Sequence, residues 1–85
     1  MQLATETPHQ RDARELRVLR LVFRGYDVFR DGIDWCARLR RPVTVRMRAA
    51  GVVKVVRRVS AAALDETLTE QSVLIILDRR NDRPD

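Results

Sequence analysis

The sequence predicts a small α+β domain that combines helices with a short antiparallel sheet. Residues 12–24 repeat apolar side chains at helical spacing, and residues 43–48 alternate apolar and polar side chains as a half-buried strand does. A chain of 85 residues has room for one hydrophobic core. We therefore expect a single domain over residues 12–79, between a flexible N-terminal arm at residues 1–11 and a frayed tail at residues 80–85.

The first predicted element is an amphipathic helix over residues 12–24. Asp12 and Glu15 have the spacing of a capping box, and Gly25 stands where a helix commonly ends. On a helical wheel the apolar side chains share one arc. The opposite arc holds four arginines, Arg14, Arg17, Arg20 and Arg24. A strand over residues 16–23 is the alternative, because Val, Leu and Phe are also frequent in buried strands.

Residues 25–41 are predicted to form turns and then a short second helix. Two glycines and three aspartates within residues 25–34 are typical of turns around short extended pieces. Asp34 is a suitable cap for a helix over residues 35–41, and Pro42 prevents that helix from continuing.

A central β-hairpin is the next predicted element. Its first strand is the alternating segment 43–48, residues 49–51 supply the turn, and a valine-rich strand follows over residues 52–59. We expect the valines and Met47 to face the core and the polar side chains to face solvent. The basic side chains on the outer face of this hairpin are Arg46, Arg48 and Lys54.

The last predicted elements are a third helix and a buried strand. Ser60 is a good N-cap for a helix that extends to Leu68, and the polar residues 69–72 predict a turn. Residues 73–77 are short, continuously apolar and partly β-branched, which favours a buried strand. We expect this strand to pair beside the hairpin.

No residue pattern for catalysis or for metal binding is present in the sequence. The single histidine, His9, lies in the predicted arm, and the single cysteine, Cys36, is expected to be packed rather than reactive. Asp27, Asp31 and Asp34 lack the spacing of a calcium loop, and turn formation and helix capping explain them. We therefore expect a protein that is not an enzyme and that needs no metal or cofactor.

The charge of the chain is strongly uneven. Residues 11–58 carry fourteen Lys and Arg against five Asp and Glu, whereas residues 59–85 carry three against six. This distribution favours a polyanion or an acidic protein surface as the partner. The sequence also has one cysteine, no secretory pattern at residues 1–10 and no apolar run that could span a bilayer. We expect a cytoplasmic protein that does not bind membranes.

The predicted function is nucleic-acid binding through contacts between arginines and phosphates. The proposed contact residues are Arg17, Arg20, Arg24, Arg40, Arg41, Arg46 and Arg48. The alternative is a protein-interaction module, in which the same arginines meet carboxylates of an acidic protein. A homodimer is expected in both cases, because so short a chain buries a small share of its surface. The nucleic-acid hypothesis requires these arginines to gather on one solvent-facing side, and it does not distinguish DNA from RNA.

Overall fold

The computed structural model describes residues 6–81, with side chains as far as residue 79. In this range the chain forms, in order, α1 (Pro8–Val22), β1 (Tyr26–Asp31), β2 (Asp34–Leu39), α2 (Val45–Ala49), β3 (Val55–Arg58) and α3 (Ala61–Asn81). The three strands make one antiparallel sheet in the order β1-β2-β3. The predicted α+β class is therefore confirmed, although several elements differ from the prediction.

Helix α1 begins four residues before its predicted start, because a better cap precedes it. The Thr7 hydroxyl accepts a hydrogen bond from the N–H of Gln10 at 3.1 Å, and the Gln10 side chain accepts one from the N–H of Thr7 at 2.9 Å. Pro8 occupies the first turn, where its missing N–H has no cost. The predicted cap, Asp12, lies inside the helix. The amphipathic helix is confirmed, and the strand alternative over residues 16–23 is wrong.

The two predicted terminal segments are covered in part by the described residues. Residues 8–11 of the predicted arm belong to α1, and residues 1–5 lie outside the described residues. At the other terminus, the first two residues of the predicted tail continue α3, and residues 82–85 lie outside the described residues.

The short helix predicted over residues 35–41 is wrong, because this segment contains strand β2. Strands β1 and β2 form a hairpin in which Tyr26 lies opposite Leu39. Gly32 in the turn has a φ of 61°, a left-handed conformation that glycine adopts without strain. The central strand β2 lies between β1 and β3, and three consecutive residues in it, Trp35, Cys36 and Ala37, are buried. An alternating pattern, the usual sign of a strand, is therefore missing there.

The strand predicted over residues 43–48 is also wrong. Thr44 caps the five-residue helix α2, since its hydroxyl accepts a hydrogen bond from the N–H of Met47 at 3.0 Å. Val45 is 87% exposed, so the alternation of valines in the sequence does not reflect burial. The predicted central hairpin is replaced by the hairpin of β1 and β2. The valine-rich strand predicted over residues 52–59 is confirmed in part, as the four-residue strand β3 (Val55–Arg58).

The strand predicted over residues 73–77 is the third error, because helix α3 continues through this segment. The Ser60 hydroxyl accepts a hydrogen bond from the N–H of Ala63 at 3.1 Å, as predicted for its N-cap. Residues 61–81 contain no Gly or Pro, so nothing in the backbone stops the helix. Leu64 and Leu68 face the core at helical spacing. The apolar side chains left on the outer side are Val73, Ile76 and Leu77.

The hydrophobic core lies between one face of the sheet and the two long helices. Helix α1 packs over β1, and α3 packs over β2 and β3. The buried core residues are Leu19, Phe23, Tyr26, Val28, Trp35, Ala37, Leu39, Met47, Val52, Val56, Leu64 and Leu68. This packing brings the C-terminal ends of α1 and α3 to the end of the sheet where β1 begins and β2 ends.

Candidate nucleic-acid interface

Several basic residues meet at the end of the molecule where α1 and β2 finish. The N–H of Arg40 donates to the carbonyl of Gly25 at 2.9 Å, which joins the loop after β2 to the loop after α1. The Nζ of Lys54 donates to the carbonyl of Arg41 at 3.0 Å, which adds the segment before β3. We name this surface the basic end; its residues are Arg24, Arg40, Arg41, Lys54 and Arg79.

A cavity of about 230 Å³ opens at the basic end between α1 and α3. The apolar side chains of its wall are Val22, Phe23, Tyr26, Leu39, Ile75 and Ile76. Gly25 and Ser72 complete the wall, and the charged lining residues are Arg24, Arg41 and Arg79. Among the described residues, no Asp or Glu lines this cavity, so the positive charge around it is not neutralised locally.

Of the seven predicted contact residues, the fold brings Arg24, Arg40 and Arg41 together. Arg24 and Arg41 line the same cavity. Arg40 lies next to them, but its Nε is paired with Oδ1 of Asp27 at 2.8 Å. Both partners of this pair are more than half exposed, and such pairs contribute roughly 0–1 kcal/mol. A phosphate group can therefore compete with Asp27 for Arg40 at little cost.

Arg17 and Arg20 lie on α1 and are not part of the basic end. The Nε of Arg20 donates to the carbonyl of Val28 at 2.9 Å, which satisfies a backbone acceptor of the edge strand β1. Arg17 is exposed, and at 1.5 Å per residue it lies roughly 10 Å along the helix from Arg24. Of these two arginines from the predicted stripe, Arg20 thus stabilises the edge strand and Arg17 is exposed to solvent.

Arg46 and Arg48 lie on helix α2 instead of the predicted strand. The Nε of Arg46 is 3.5 Å from Oδ1 of Asp78, a pair that ties α2 to α3. Arg48 is exposed. The predicted basic outer face of a hairpin therefore does not exist, and these two arginines extend the basic surface on a helix.

Arg79 belongs to the basic end but was not among the predicted contact residues. The prediction ended the regular structure at a strand over residues 73–77, which left Arg79 at the start of a tail. In the continuous helix α3, Arg79 lies two turns after Ser72 and lines the same cavity. The sequence does contain a signal for Arg79. Residues 61–81 contain no Gly or Pro, which indicates that the helix continues as far as this residue.

The arginines at the opposite end of the sheet, next to the β1–β2 turn, are paired with carboxylates. Arg57 donates to Asp34 and to Asp31, each at 2.9 Å, and these hydrogen bonds raise the pKa of Arg57 above its ordinary value. Arg30 donates to Asp12 at 2.9 Å. We name this the hairpin end. Arg30 and Arg57 thus have carboxylate partners, whereas Arg24, Arg41 and Arg79 at the basic end form no ion pair among the described residues.

Similarity to known proteins gives no guide to this site. No protein-family model, no curated protein and no solved structure matches the chain. Within residues 6–81, no group of His, Cys, Asp and Glu side chains is placed to hold a metal ion. In the same range no helix has both the length and the apolar content to cross a membrane. We therefore infer function from the geometry and charge of the basic end.

Proposed function

We propose that this is a small, non-enzymatic protein that binds nucleic acid by contacts between the basic end and the phosphate backbone. The observation that supports this proposal is the grouping of Arg24, Arg41 and Arg79 around one cavity. Among the described residues, none of these three arginines has an ion pair or a side-chain hydrogen bond. A guanidinium group presents paired N–H donors that match the oxygens of a phosphate.

The proposed contacts are of the kind that position a protein on a nucleic acid. Arginine–phosphate bonds carry no base information, and the basic end offers no aromatic side chain on its exposed surface for stacking, since Phe23 and Tyr26 are buried. Neutralising three to five phosphates predicts a slope of log K against log salt of roughly −3 to −4.5 with duplex DNA.

Fluorescence anisotropy with a labelled mixed-sequence duplex, and with RNA of the same sequence, tests this proposal at several salt concentrations. The double variant Arg24→Gln/Arg41→Gln removes two charges from the basic end. We expect it to weaken binding at least tenfold and to reduce the magnitude of the salt slope by about 1.8, because two phosphate contacts are lost.

The matched control is Arg11→Gln/Arg14→Gln, which removes the same charge from the exposed N-terminal part of α1. We expect this control to bind nearly as well as the unmodified protein. Equal weakening by both double variants, or no binding even at the lowest salt, would contradict a phosphate-binding role for the basic end.

A second candidate function, a homodimeric protein-interaction module, is supported by a different surface. Helices α1 and α3 cover the same face of the sheet, so their outward sides form one surface, here named the two-helix face. Its apolar side chains are each at least 48% exposed: Val18, Leu21, Val22, Val73, Ile76 and Leu77. Exposed apolar side chains grouped on one side of a small protein are typical of protein interfaces.

The charges beside the two-helix face fit a second copy of the same chain. Arg17 is exposed on α1 and Arg24 in the turn after it, whereas Asp65, Glu66 and Glu70 are exposed on α3. A twofold axis places α1 of one copy beside α3 of the other, so that each basic helix meets an acidic one. This arrangement buries the apolar side chains between the two rows of opposite charge.

Sedimentation over a concentration series measures this association. We expect Leu21→Glu to give a monomer, because it introduces a charge into the centre of the two-helix face. The control Ile33→Glu changes an even more exposed apolar residue at the hairpin end and should leave the dimer intact. A dimer that binds no nucleic acid would favour this second function alone, and a monomer at all concentrations would exclude it.

A further inference from the structure

We infer that the cavity at the basic end binds a small organic anion, in which a carboxylate or phosphate group is joined to a short apolar body. This site is distinct from a phosphate-backbone surface, because its ligand also uses the apolar wall of the open cleft between α1 and α3. The inference does not depend on nucleic-acid binding, although both would use Arg24 and Arg41.

The shape and lining of the cavity fit a ligand with an apolar body. A volume of about 230 Å³ accommodates roughly eight groups of the size of a water molecule or a methylene. Most of the wall is aliphatic or aromatic, and Phe23 and Leu39 connect it directly to the hydrophobic core. When an apolar group occupies this space, its own surface and the surface of the wall are both removed from water. This burial of apolar surface is the main source of affinity for small ligands.

The cations of the cavity fit the anionic group of such a ligand. Arg24, Arg41 and Arg79 come from three separate parts of the chain, namely the end of α1, the loop after β2 and the last turns of α3. All three arginines line the cavity together with its apolar residues, and Ser72 adds one aliphatic hydroxyl to the lining. One carboxylate or phosphate can therefore be bound by two of the arginines while its apolar body occupies the cavity.

Tyr26 supplies the second, independent indication of a ligand. Its side chain is 3% exposed and forms part of the cavity wall. Its hydroxyl is a buried polar atom without a hydrogen-bond partner in the described structure. A buried hydroxyl with no partner is unfavourable and rare in folded proteins. Because this hydroxyl is out of reach of solvent, an oxygen of the bound anion becomes its acceptor through a small shift of the surrounding side chains, and the same ligand then satisfies both Tyr26 and the arginines.

The test uses probes that separate the two halves of the ligand. Hexanoate and hexyl phosphate each carry an anionic group and a short chain, acetate carries the charge alone, and 1-hexanol carries the chain alone. Binding to the full chain is measured by NMR titration, which gives both affinity and location. We expect hexanoate or hexyl phosphate to bind at least tenfold more tightly than acetate and 1-hexanol, with shifts at Gly25 and Ser72. The relative strength of the two anionic probes distinguishes a carboxylate site from a phosphate site.

Two variants test the residues that are assigned to the site. Arg24→Gln, on an exposed side chain, should weaken hexanoate binding about tenfold, whereas the control Arg11→Gln should not change it. Tyr26→Phe should weaken hexanoate binding several-fold while the fold, monitored by circular dichroism, is retained. If Tyr26 had only a structural role, this substitution would not weaken hexanoate binding in a protein that stays folded.

The outcomes distinguish this inference from the proposed function. Three results would overturn the cavity site even if nucleic acid binds. They are equal affinity for hexanoate and 1-hexanol, no binding of either anionic probe, or shifts confined to the residues of the two-helix face that do not line the cavity, namely Val18, Leu21, Val73 and Leu77. Hexanoate binding without nucleic-acid binding would support the cavity site and contradict the proposed function. If both occur, hexanoate should lower the affinity for duplex DNA, because the two ligands use the same arginines.

Discussion

Among single residues, Tyr26 shows most clearly what a sequence can and cannot reveal. Its place among aliphatic residues predicts a core position, and the structure confirms this. The missing partner of its hydroxyl could not be predicted, because it depends on the groups that α1, β2 and α3 bring around it. The same limit applies to Arg24 and Arg41, whose positive charge was evident in the sequence while their meeting at one cavity was not.

The unpartnered hydroxyl of Tyr26 leads to a prediction about stability. In the absence of ligand, Tyr26→Phe should leave the free energy of unfolding unchanged or raise it by up to about 1 kcal/mol, because the substitution removes a desolvated polar group and keeps the ring. Urea denaturation of the two proteins measures the difference. A loss of more than about 1 kcal/mol would mean that the hydroxyl has a stabilising partner in the folded protein.

Burial of Tyr26 also predicts the behaviour of the protein at high pH. Burial raises the pKa of the Tyr26 phenol above its ordinary value, because the charged phenolate loses solvation inside the fold. The folded protein therefore holds this proton at a pH where the unfolded chain, with a pKa of about 10, releases it. The contribution of Tyr26 to stability is complete below pH about 10 and is lost as the pH rises through the folded pKa.

Absorbance at the tyrosinate band tests this prediction directly, because Tyr26 is the single tyrosine of the sequence. We expect ionisation above pH about 10 in the folded protein and near pH 10 after denaturation. The stability of Tyr26→Phe should fall less steeply than that of the unmodified protein over the same alkaline range. Parallel decreases for both proteins would show that Tyr26 does not control alkaline unfolding.

At the scale of elements, the sequence predicted helix α1 and the first part of α3, and it failed where short local patterns had two interpretations. Helices α1 and α3 have capping residues and long runs without Gly or Pro, so their propagation is favoured locally. Residues 35–41, 43–48 and 73–77 are too short for periodicity to decide. Their structure is set by tertiary contacts: β2 by its two neighbouring strands, α2 by its packing on α3, and residues 73–77 by the helix that already reaches them.

One side chain of α3 holds an adjoining loop in place, which gives a prediction at this scale. The Gln71 Oε1 accepts a hydrogen bond from the N–H of Val53 at 2.9 Å, and its Nε2 donates to the carbonyl of Gly51 at 3.1 Å. Gln71→Leu fills a similar volume but leaves both backbone groups without a partner. We expect it to reduce the free energy of unfolding by about 1–3 kcal/mol.

Thermal or urea denaturation measures the effect of Gln71→Leu. The control is Glu70→Leu, one position earlier on the exposed side of α3, which should change stability by less than about 0.5 kcal/mol. If the two variants have equal stability, the segment between α2 and β3 is not held by Gln71.

In the whole molecule, the uneven charge of the sequence appears as a difference between the basic end and the hairpin end. It does not follow the division of the chain into residues 11–58 and 59–85. Helix α3 starts near the hairpin end, where Arg58 donates to Thr67 at 3.0 Å and pairs in register with Trp35. Three of its acidic residues, Asp65, Glu66 and Glu70, therefore lie toward that end, whereas Asp78, which pairs with Arg46, and Arg79 lie in its last turns near the basic end. Composition alone predicted a basic body and an acidic terminus, but the direction of α3 decides where each charge lies.

This arrangement predicts that nucleic-acid affinity follows local charge and not net charge. Glu66→Gln/Glu70→Gln raises the formal net charge by two from +5, whereas Arg24→Gln/Arg41→Gln lowers it by two. At 1.5 Å per residue, Glu66 is roughly 20 Å along α3 from Arg79. This distance exceeds the Debye length of about 10 Å at 0.1 M salt, so the acidic residues are largely screened from a ligand at the basic end.

We expect the glutamine substitutions on α3 to change duplex affinity by less than about threefold at this salt concentration, against at least tenfold for the arginine pair. Anisotropy titrations of both double variants measure the two factors. The glutamate variant could instead strengthen duplex binding by about as much as the arginine variant weakens it. That result would show that the protein attracts nucleic acid by its overall charge, and that the basic end has no special part in binding.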